Sequence, residues 1–517
     1  MRKRIIGFLL LIALLSTVLC GCGDGSTATG SEAAQNSGSA GADVQNGEIT
    51  VGIAQDLDDS LDPHLAVKAG TREILFNVFE GLLKPTPDGD LEPAIAESYT
   101  LSEDRTVYTF TLRDGVKFHN GETVSADDVV YSIKRCADSS EGAPLVAAFS
   151  VIQSVEATDA KTVKITISEP DNEFLSYLTT AILPRDYDQQ DTAPVGTGPF
   201  KFVSRTAQDS IVLEKFDGYW GTPAYLDKVT FKIIENADAL VLALQSGAID
   251  LCAHLTTTQI AQISSGNFKI LEGTMNLAQA LYLNNAVAPF DNEKVRQALC
   301  YAVDKQEILD LAFDGYGTPI GSSMYPKLKA YFDDSLTNYY TKDVDKAKAL
   351  LAEAGYPNGF DMTITVPSNY QPHVDTAQVL TEQLKAIGVN ATIAPVDWNT
   401  WVSDVYTGRK FQSTVVGVDA PYMTARAMLE RFQSKAGNNF INYSNADYDA
   451  LFSKALLATD DAQRIGFYKQ MEANLTEHAA NVYIQDMADL VAIRSDLDGY
   501  RFYPIYVMDL STVHVAG

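Results

Sequence analysis

Cysteine is scarce in this chain of 517 residues: five occur, and two of them, Cys20 and Cys22, fall within the first 22 positions. The other three, Cys136, Cys252 and Cys300, are far apart and show no Cys-x-x-Cys or Cys/His spacing, which argues against a structural zinc site. One disulfide among them is open in an oxidising compartment; three scattered buried thiols are the simpler reading. Histidine is equally sparse, and His64, His119, His254, His373, His478 and His514 lack metal-ligand spacing. No cofactor is called for. Basic residues are the third shortage, 39 Lys and Arg against 67 Asp and Glu, for a formal charge of −28. Nucleic-acid affinity rests largely on neutralising phosphates, so a chain this acidic and without a basic stripe argues against it, and against charge-driven adhesion to anionic lipid.

Signatures of catalysis are missing too. No Gly-x-Ser-x-Gly, His-Glu-x-x-His or Walker sequence appears. Acidic neighbours such as Asp58-Asp59 and Asp127-Asp128 point apart on a strand or a helix, so neither makes an acid–base dyad. A secreted hydrolase is therefore a remote alternative. What is present is 46% apolar and 21% charged sequence, long enough for two or three domains with proper cores.

The start reads as a secretory leader. Arg2, Lys3 and Arg4 precede an apolar run, Ile5 to Leu15, too short to span a bilayer as a mature helix. Leu19-Cys20-Gly21-Cys22 resembles the lipobox of bacterial lipoproteins, which implies cleavage before Cys22 and a lipid on its sulfur. Cys20 is the weaker candidate because Leu19 fits poorly before a cut, and an ordinary signal peptide is the alternative. Residues 22–47 are small and polar and have nothing to bury, as expected of a flexible tether. The reading is a body lipid-anchored to the outer face of a membrane.

Periodicity then predicts a mixed α/β body. Glu48 to Ile53 alternates as a strand, and Ile74, Leu75, Val78 and Leu82 fit a helix from about Thr71 to Leu83. Thr106 to Leu112 alternates, and Ser125 with Asp128 forms an N-cap signature for a helix through Lys134. Strands follow near Ile152–Val155 and Thr162–Ile167. Helices over Lys342–Ala354 and Thr376–Ile387 end at Gly355 and Gly388 and lead into strands Met362–Val366 and Asn390–Ile393.

Several blocks carry a family likeness: Thr109-Phe110-Thr111-Leu112-Arg113-Asp114-Gly115-Val116-Lys117-Phe118-His119-Asn120-Gly121, Ala126-Asp127-Asp128-Val129-Val130-Tyr131-Ser132, Gly196-Thr197-Gly198-Pro199-Phe200 and Ala347 through Pro357. Together they resemble the family 5 extracellular solute-binding proteins, the peptide- and nickel-type receptors of ABC importers. The resemblance implies a large periplasmic-binding-protein (Venus flytrap) fold. Lobe I would comprise 48–83, 195–279 and 488–517, an accessory domain 84–194, and lobe II 280–487. It implies a monomeric receptor, not an enzyme, that closes on a small solute and delivers it to permease subunits. A short peptide is the expected solute; an oligosaccharide, a nickel chelate or haem is the alternative.

The resemblance also points to ligand contacts. Asp419 matches an Asp that pairs with a peptide's α-ammonium, although its aromatic neighbours are replaced by Val416, Val418 and Ala420; the other reading is a cap on the turn before Pro421. Tyr422, just beyond that turn, is a further candidate contact. Trp398 matches an aromatic wall position, with Trp401 one turn on, and both can instead pack in the core. Ala69, Gly70 and Thr71 match a stretch that bonds ligand backbone, Thr71 being alternatively a helix N-cap. Tyr282 and Leu145 match further contact positions. His119 is expected to be structural. Arginines for a peptide carboxylate are not in register: Ser413 and Val405 stand near their places, and Arg409 and Arg426 are shifted.

Overall fold

Glu48–Ile53 is a strand because its β-branched residues alternate, and its alternate face is buried through Ile49 and Val51. In a computed structural model it lies between Lys228–Ile233 and Leu251–Cys252, parallel to both. The structure describes residues 47–57, 60–66, 68–140, 144–171, 173–263, 266–420 and 422–516. The leader, both early cysteines, the tether up to residue 46, and the Asp58-Asp59 pair lie outside the described residues.

An eleven-stranded sheet organises the body. Its path runs Asn390–Val396, Asp361–Pro367, Ser413–Asp419, Phe268–Leu283, Asn481–Arg494, Leu251–Cys252, Glu48–Ile53, Lys228–Ile233, Ser210–Lys215, Phe200–Thr206, with Thr318–Pro319 beside Asn481–Arg494. Two strands are unusually long, Phe268–Leu283 and Asn481–Arg494, and they pair antiparallel. Their pairing breaks between Thr274 and Ala278, where Asn276 takes a positive φ of 57°, and slips again between Gln279 and Ala280. A bulge of this kind bends a strand and raises its twist.

Distinct apolar cores flank the two halves of the sheet. Val51, Phe231, Leu213, Val491 and Leu510 fill one. In the other half, Tyr282, Met428, Phe432 and Tyr468 pack on one face and Leu281, Leu299, Ile364 and Leu380 on the opposite face. A separate four-stranded antiparallel sheet, Ala96–Leu101, Val107–Leu112, Thr162–Ile167 and Ile152–Ala157, has its own core around Phe110, Phe118, Phe149 and Phe174. Helix Ala126–Ala137 covers it, opened by a reciprocal capping box between Ser125 and Asp128. Asp127 meanwhile pairs with Arg185 at 2.7 Å, so the two adjacent acids serve different partners.

Sequence expectations and structure part at identifiable places. The first helix spans Ala69–Leu75 rather than Thr71 to Leu83, and Thr71 is a buried residue inside it, not its N-cap, which is Lys68. The apolar spacing continues beyond Leu75, but the Asn77 and Val78 carbonyls are taken by the Phe200 and Gly198 N–H groups. Gly196 and Gly198 permit that approach: a Cβ on either would strike the Asn77–Val78 backbone. His119 braces the same junction; Gly196 N–H donates to Nδ1 at 3.3 Å, and Nε2 bonds the Gly198 carbonyl at 3.0 Å. Helix Gln371–Lys385 begins earlier than expected, with a proline in its first turn. The strand from Asn390 runs to Val396 and tolerates Pro395 because it is the sheet's edge. Cys136, Cys252 and Cys300 are buried free thiols.

Candidate functional site

Asp361–Pro367, Asn390–Val396 and Ser413–Asp419 run parallel, so their carboxyl ends share one edge of the sheet. Ligands of open α/β sheets gather beyond such an edge. Here the edge carries Tyr370, Trp398 and Asp419. The Asp397 carboxylate caps the short helix after the middle strand, accepting from Thr400 N–H at 3.0 Å and from the Thr400 hydroxyl at 2.6 Å. That turn presents Trp398, which stacks on Trp401 with ring centres 5.1 Å apart and planes within 9°, while Tyr370 meets its edge at 5.3 Å. A π-helical turn, Trp401–Thr407, follows. Trp401 is 5% exposed and donates from Nε1 to Thr414 Oγ1 at 3.0 Å; Trp398 is 39% exposed. One tryptophan is the backing and the other the face.

Asp419 ends its strand in an exposed position. Its carbonyl accepts from Arg431 Nη2 at 3.3 Å, but its carboxylate forms no ion pair and caps no backbone N–H among the described residues. Tyr370 lies within its field: burial and then Asp419 raise the Tyr370 hydroxyl above the usual phenol range.

The first half of the sheet offers a different arrangement at its own carboxyl edge. His254, held at a φ of 59°, bridges Glu73 Oε1 at 2.7 Å and Asp489 Oδ1 at 2.9 Å. Burial by itself would lower its pKa; Asp489 and Glu73 override that and hold it well above the ordinary imidazole value. Tyr506 lies nearly parallel on the imidazole, at 4.6 Å and 16°. Burial raises the Tyr506 hydroxyl, and Glu73, Asp489 and Tyr370 add to the rise, which puts Tyr506 in electrostatic reach of the second half's Tyr370. A small cavity beside the strand bulge is lined by His254, Thr274, Asn276, Asp489, Tyr503 and Tyr506.

The structure thus brings Asp419 and Trp398 to one edge, with Trp401 behind. It corrects Tyr282, which is fully buried, points its hydroxyl to the Ala278 carbonyl at 2.8 Å and presents nothing to a ligand. Ala69 and Gly70 are half-buried in the first turn of the helix that carries Glu73. Tyr422 is committed to Tyr177, ring centres 4.8 Å apart, and Leu145 is 49% exposed beside the four-stranded unit's core residue Val146. Arg409 bonds Asn442 Oδ1 and the Gly437 carbonyl, and Arg426 bonds Asp171; Ser413 caps the Thr363 carbonyl and Val405 is buried. Sequence reasoning missed Tyr370, His254, Glu73 and Tyr506. The Trp-x-x-Trp spacing near Tyr370 is the one signal that pointed toward any of them.

A two-lobed binding protein is the class this fold defines, with the long strands Phe268–Leu283 and Asn481–Arg494 running through both halves of the sheet. A profile described as bacterial extracellular solute-binding proteins, family 5 Middle, matches residues 90–440. Heme-binding protein A of Haemophilus influenzae is 31% identical over 451 residues, covering 80% of this chain and 82% of the relative. Glutathione-binding protein GsiB of Pectobacterium atrosepticum is 29% identical over 469 residues, covering 86% and 90%. Among solved structures, the ABC transporter-associated periplasmic binding protein DppA from Helicobacter pylori, in complex with the peptide STSA, superposes with a TM-score of 0.77 at 27% identity, covering 91% of this chain and 98% of that one. The chain belongs to the bacterial extracellular solute-binding proteins of family 5, the substrate-binding components of ABC transporters, and has their periplasmic-binding-protein fold.

Proposed function

We propose that this protein captures a short peptide between two lobes and passes it to a membrane permease. The observation that carries the peptide is Asp419: a carboxylate with no ion pair among the described residues, at the carboxyl edge of three parallel strands that also carries an exposed tryptophan. A free α-ammonium would give that carboxylate its counter-charge, and Trp398 with Tyr370 would pack the neighbouring side chain. Relatives named for glutathione and a neighbour holding a peptide agree with this reading.

The lobes are taken as 48–83 with 195–279 and 488–517, and 280–487, with 84–194 as the accessory domain; the strand bulge at Thr274–Ala278 lies close to that division and supplies the bend. Ligand that touches both lobes only when they meet would stabilise the closed form. Lipid attachment at Cys22, a monomeric state and tethering to the outer membrane face belong to the same proposal. Ala69, Gly70 and Leu145 remain secondary candidates for contact.

The test is a thermal-unfolding screen with free di- to hexapeptides, the same peptides N-acetylated, and oligosaccharides, after refolding to remove carried-over ligand. Ligand at ~100 times Kd adds roughly 2.7 kcal/mol. A shift with free peptides that disappears on acetylation supports the ammonium–Asp419 pairing. A shift with sugars alone, or with acetylated peptides equally, overturns it. The exposed face of Trp398 favours a sugar as the second reading, distinguished by Trp398→Ala abolishing binding that Asp419→Asn leaves intact.

A further inference from the structure

We propose that Asp171, Glu173, Arg426 and Tyr468 form a latch that holds the four-stranded unit against the second half of the body without help from ligand. The inference rests on the two-lobe reading above. Asp171 and Glu173 follow the third strand of the small sheet; Arg426 and Tyr468 stand on helices Ala425–Leu429 and Asp461–Glu477 of the other core. Between these elements the chain leaves the first half of the large sheet along Phe268–Leu283 and returns along Asn481–Arg494. With the four-stranded unit tied to the first half, as Arg135 is to Asp62 at 2.7 Å, rotation about the bulge in those strands parts the two surfaces.

The contact is made of polar groups. Arg426 Nη1 donates to Asp171 Oδ2 at 3.0 Å, and its Nε to Glu430 Oε2 at 3.0 Å. The Tyr468 hydroxyl donates to Glu173 Oε2 at 2.7 Å, and the Arg426 backbone N–H reaches Glu173 Oε1 at 3.4 Å. Ser176 Oγ donates to the Met423 carbonyl at 3.3 Å, the Tyr177 and Tyr422 rings meet edge to face, and Arg105 donates to the Thr459 carbonyl at 2.6 Å. On their own side the acids are preorganised: Glu173 N–H donates to Asp171 Oδ1 at 2.9 Å, and Tyr108 holds the Asp171 carbonyl at 2.9 Å.

Two features make this a latch rather than a weld. Among the described residues the buried apolar cores on either side are separate clusters, with half-buried Leu91 packed against both and Tyr422 against the small unit's core. Asp171 and Glu173 are 7% and 4% exposed in the contact, and their desolvation offsets much of the attraction; separation returns them to water. Interactions balanced in this way shift a population without fixing it.

The test measures distance between spin labels at Glu156→Cys and Lys454→Cys, exposed positions on the two sides, in the full chain with Cys20 and Cys22 replaced by Ser. Ligand-free protein with the latch intact gives mainly the short distance, with a small long-distance fraction. Tyr468→Phe and Asp171→Asn are expected to raise the long-distance fraction about tenfold from a small starting value, as a shift in a two-state equilibrium. Arg426→Ala should do more, and if it fails to fold the two conservative variants decide. Unchanged distances in folded variants overturn the latch. Trialanine and reduced glutathione, followed by tryptophan fluorescence, separate the two readings: a probe that binds wild type while the variants keep its distances leaves the receptor standing and the latch overturned. Variants that separate while neither probe binds support the latch and count against the peptide reading.

Discussion

The two carboxyl edges of the large sheet make opposite use of the same kinds of side chain. At the second-half edge, Trp398 shows its face and the Asp419 carboxylate has no ion pair among the described residues. At the first-half edge, Glu73 and Asp489 are both spent on His254, and Tyr506 is spent on the imidazole's face. A group already bonded on all sides lends rigidity; a group left open lends chemistry. Under the proposed peptide reading, recognition is concentrated in the second half and the first half presents a preset wall.

The largest effect should come from breaking the saturated edge. His254→Ala leaves two carboxylates 6% and 10% exposed without their cation, and a loss of about 3 kcal/mol is expected in urea unfolding. Trp401→Ala should cost a similar ~3 kcal/mol because its ring is buried and its indole N–H is bonded. The same truncation at Trp398 should cost less than ~1 kcal/mol while removing ligand binding, a split read by pairing urea midpoints with titration.

Acid sharpens the contrast next. Burial holds His64, His119 and His373 down at about 4, so the unfolded chain takes up protons near 6.5 while the folded chain resists until about 4. Their contribution to stability therefore falls as pH drops through that window. His254 has the opposite sign: its contribution is complete below about 6.5 and is lost as pH rises through its higher folded value. Urea unfolding at a series of pH values should show His373→Gln flattening the acid slope and His254→Gln flattening the alkaline one; interchanged effects would refute the assignment. The smallest stability effect, within about 0.5 kcal/mol, is expected for Asp419→Asn, with free-peptide affinity falling at least tenfold in the same protein.

Local signals were legible where the structure answers to near neighbours. The capping box of Ser125 and Asp128 and the glycines closing the later helices, Gly355 and Gly388 with φ of 93° and 81°, act over a few residues. Legibility failed where a distant strand intervened. The apolar rhythm past Leu75 is genuine, yet Phe200 claims the Asn77 carbonyl, and no property of residues 71–83 announces that. Tyr282 was misplaced for a related reason: it sits between Thr414 and Asn481 in mid-sheet, where the pleat turns its ring into the core. His254 carried no local mark, since its partners lie 181 and 235 residues away.

By itself, then, the sequence determined the α/β alternation, the Ser125 cap and the family blocks, because each depends on spacing within one stretch of chain. Only the tertiary structure decided which polar groups are spent and which stand open. Two tryptophans three residues apart became backing and face, and two carboxylates became a cage for an imidazolium while Asp419 stayed at the edge. Those outcomes follow from long-range pairing and burial, which set the surroundings of a charge or a ring far more strongly than its neighbours in sequence do.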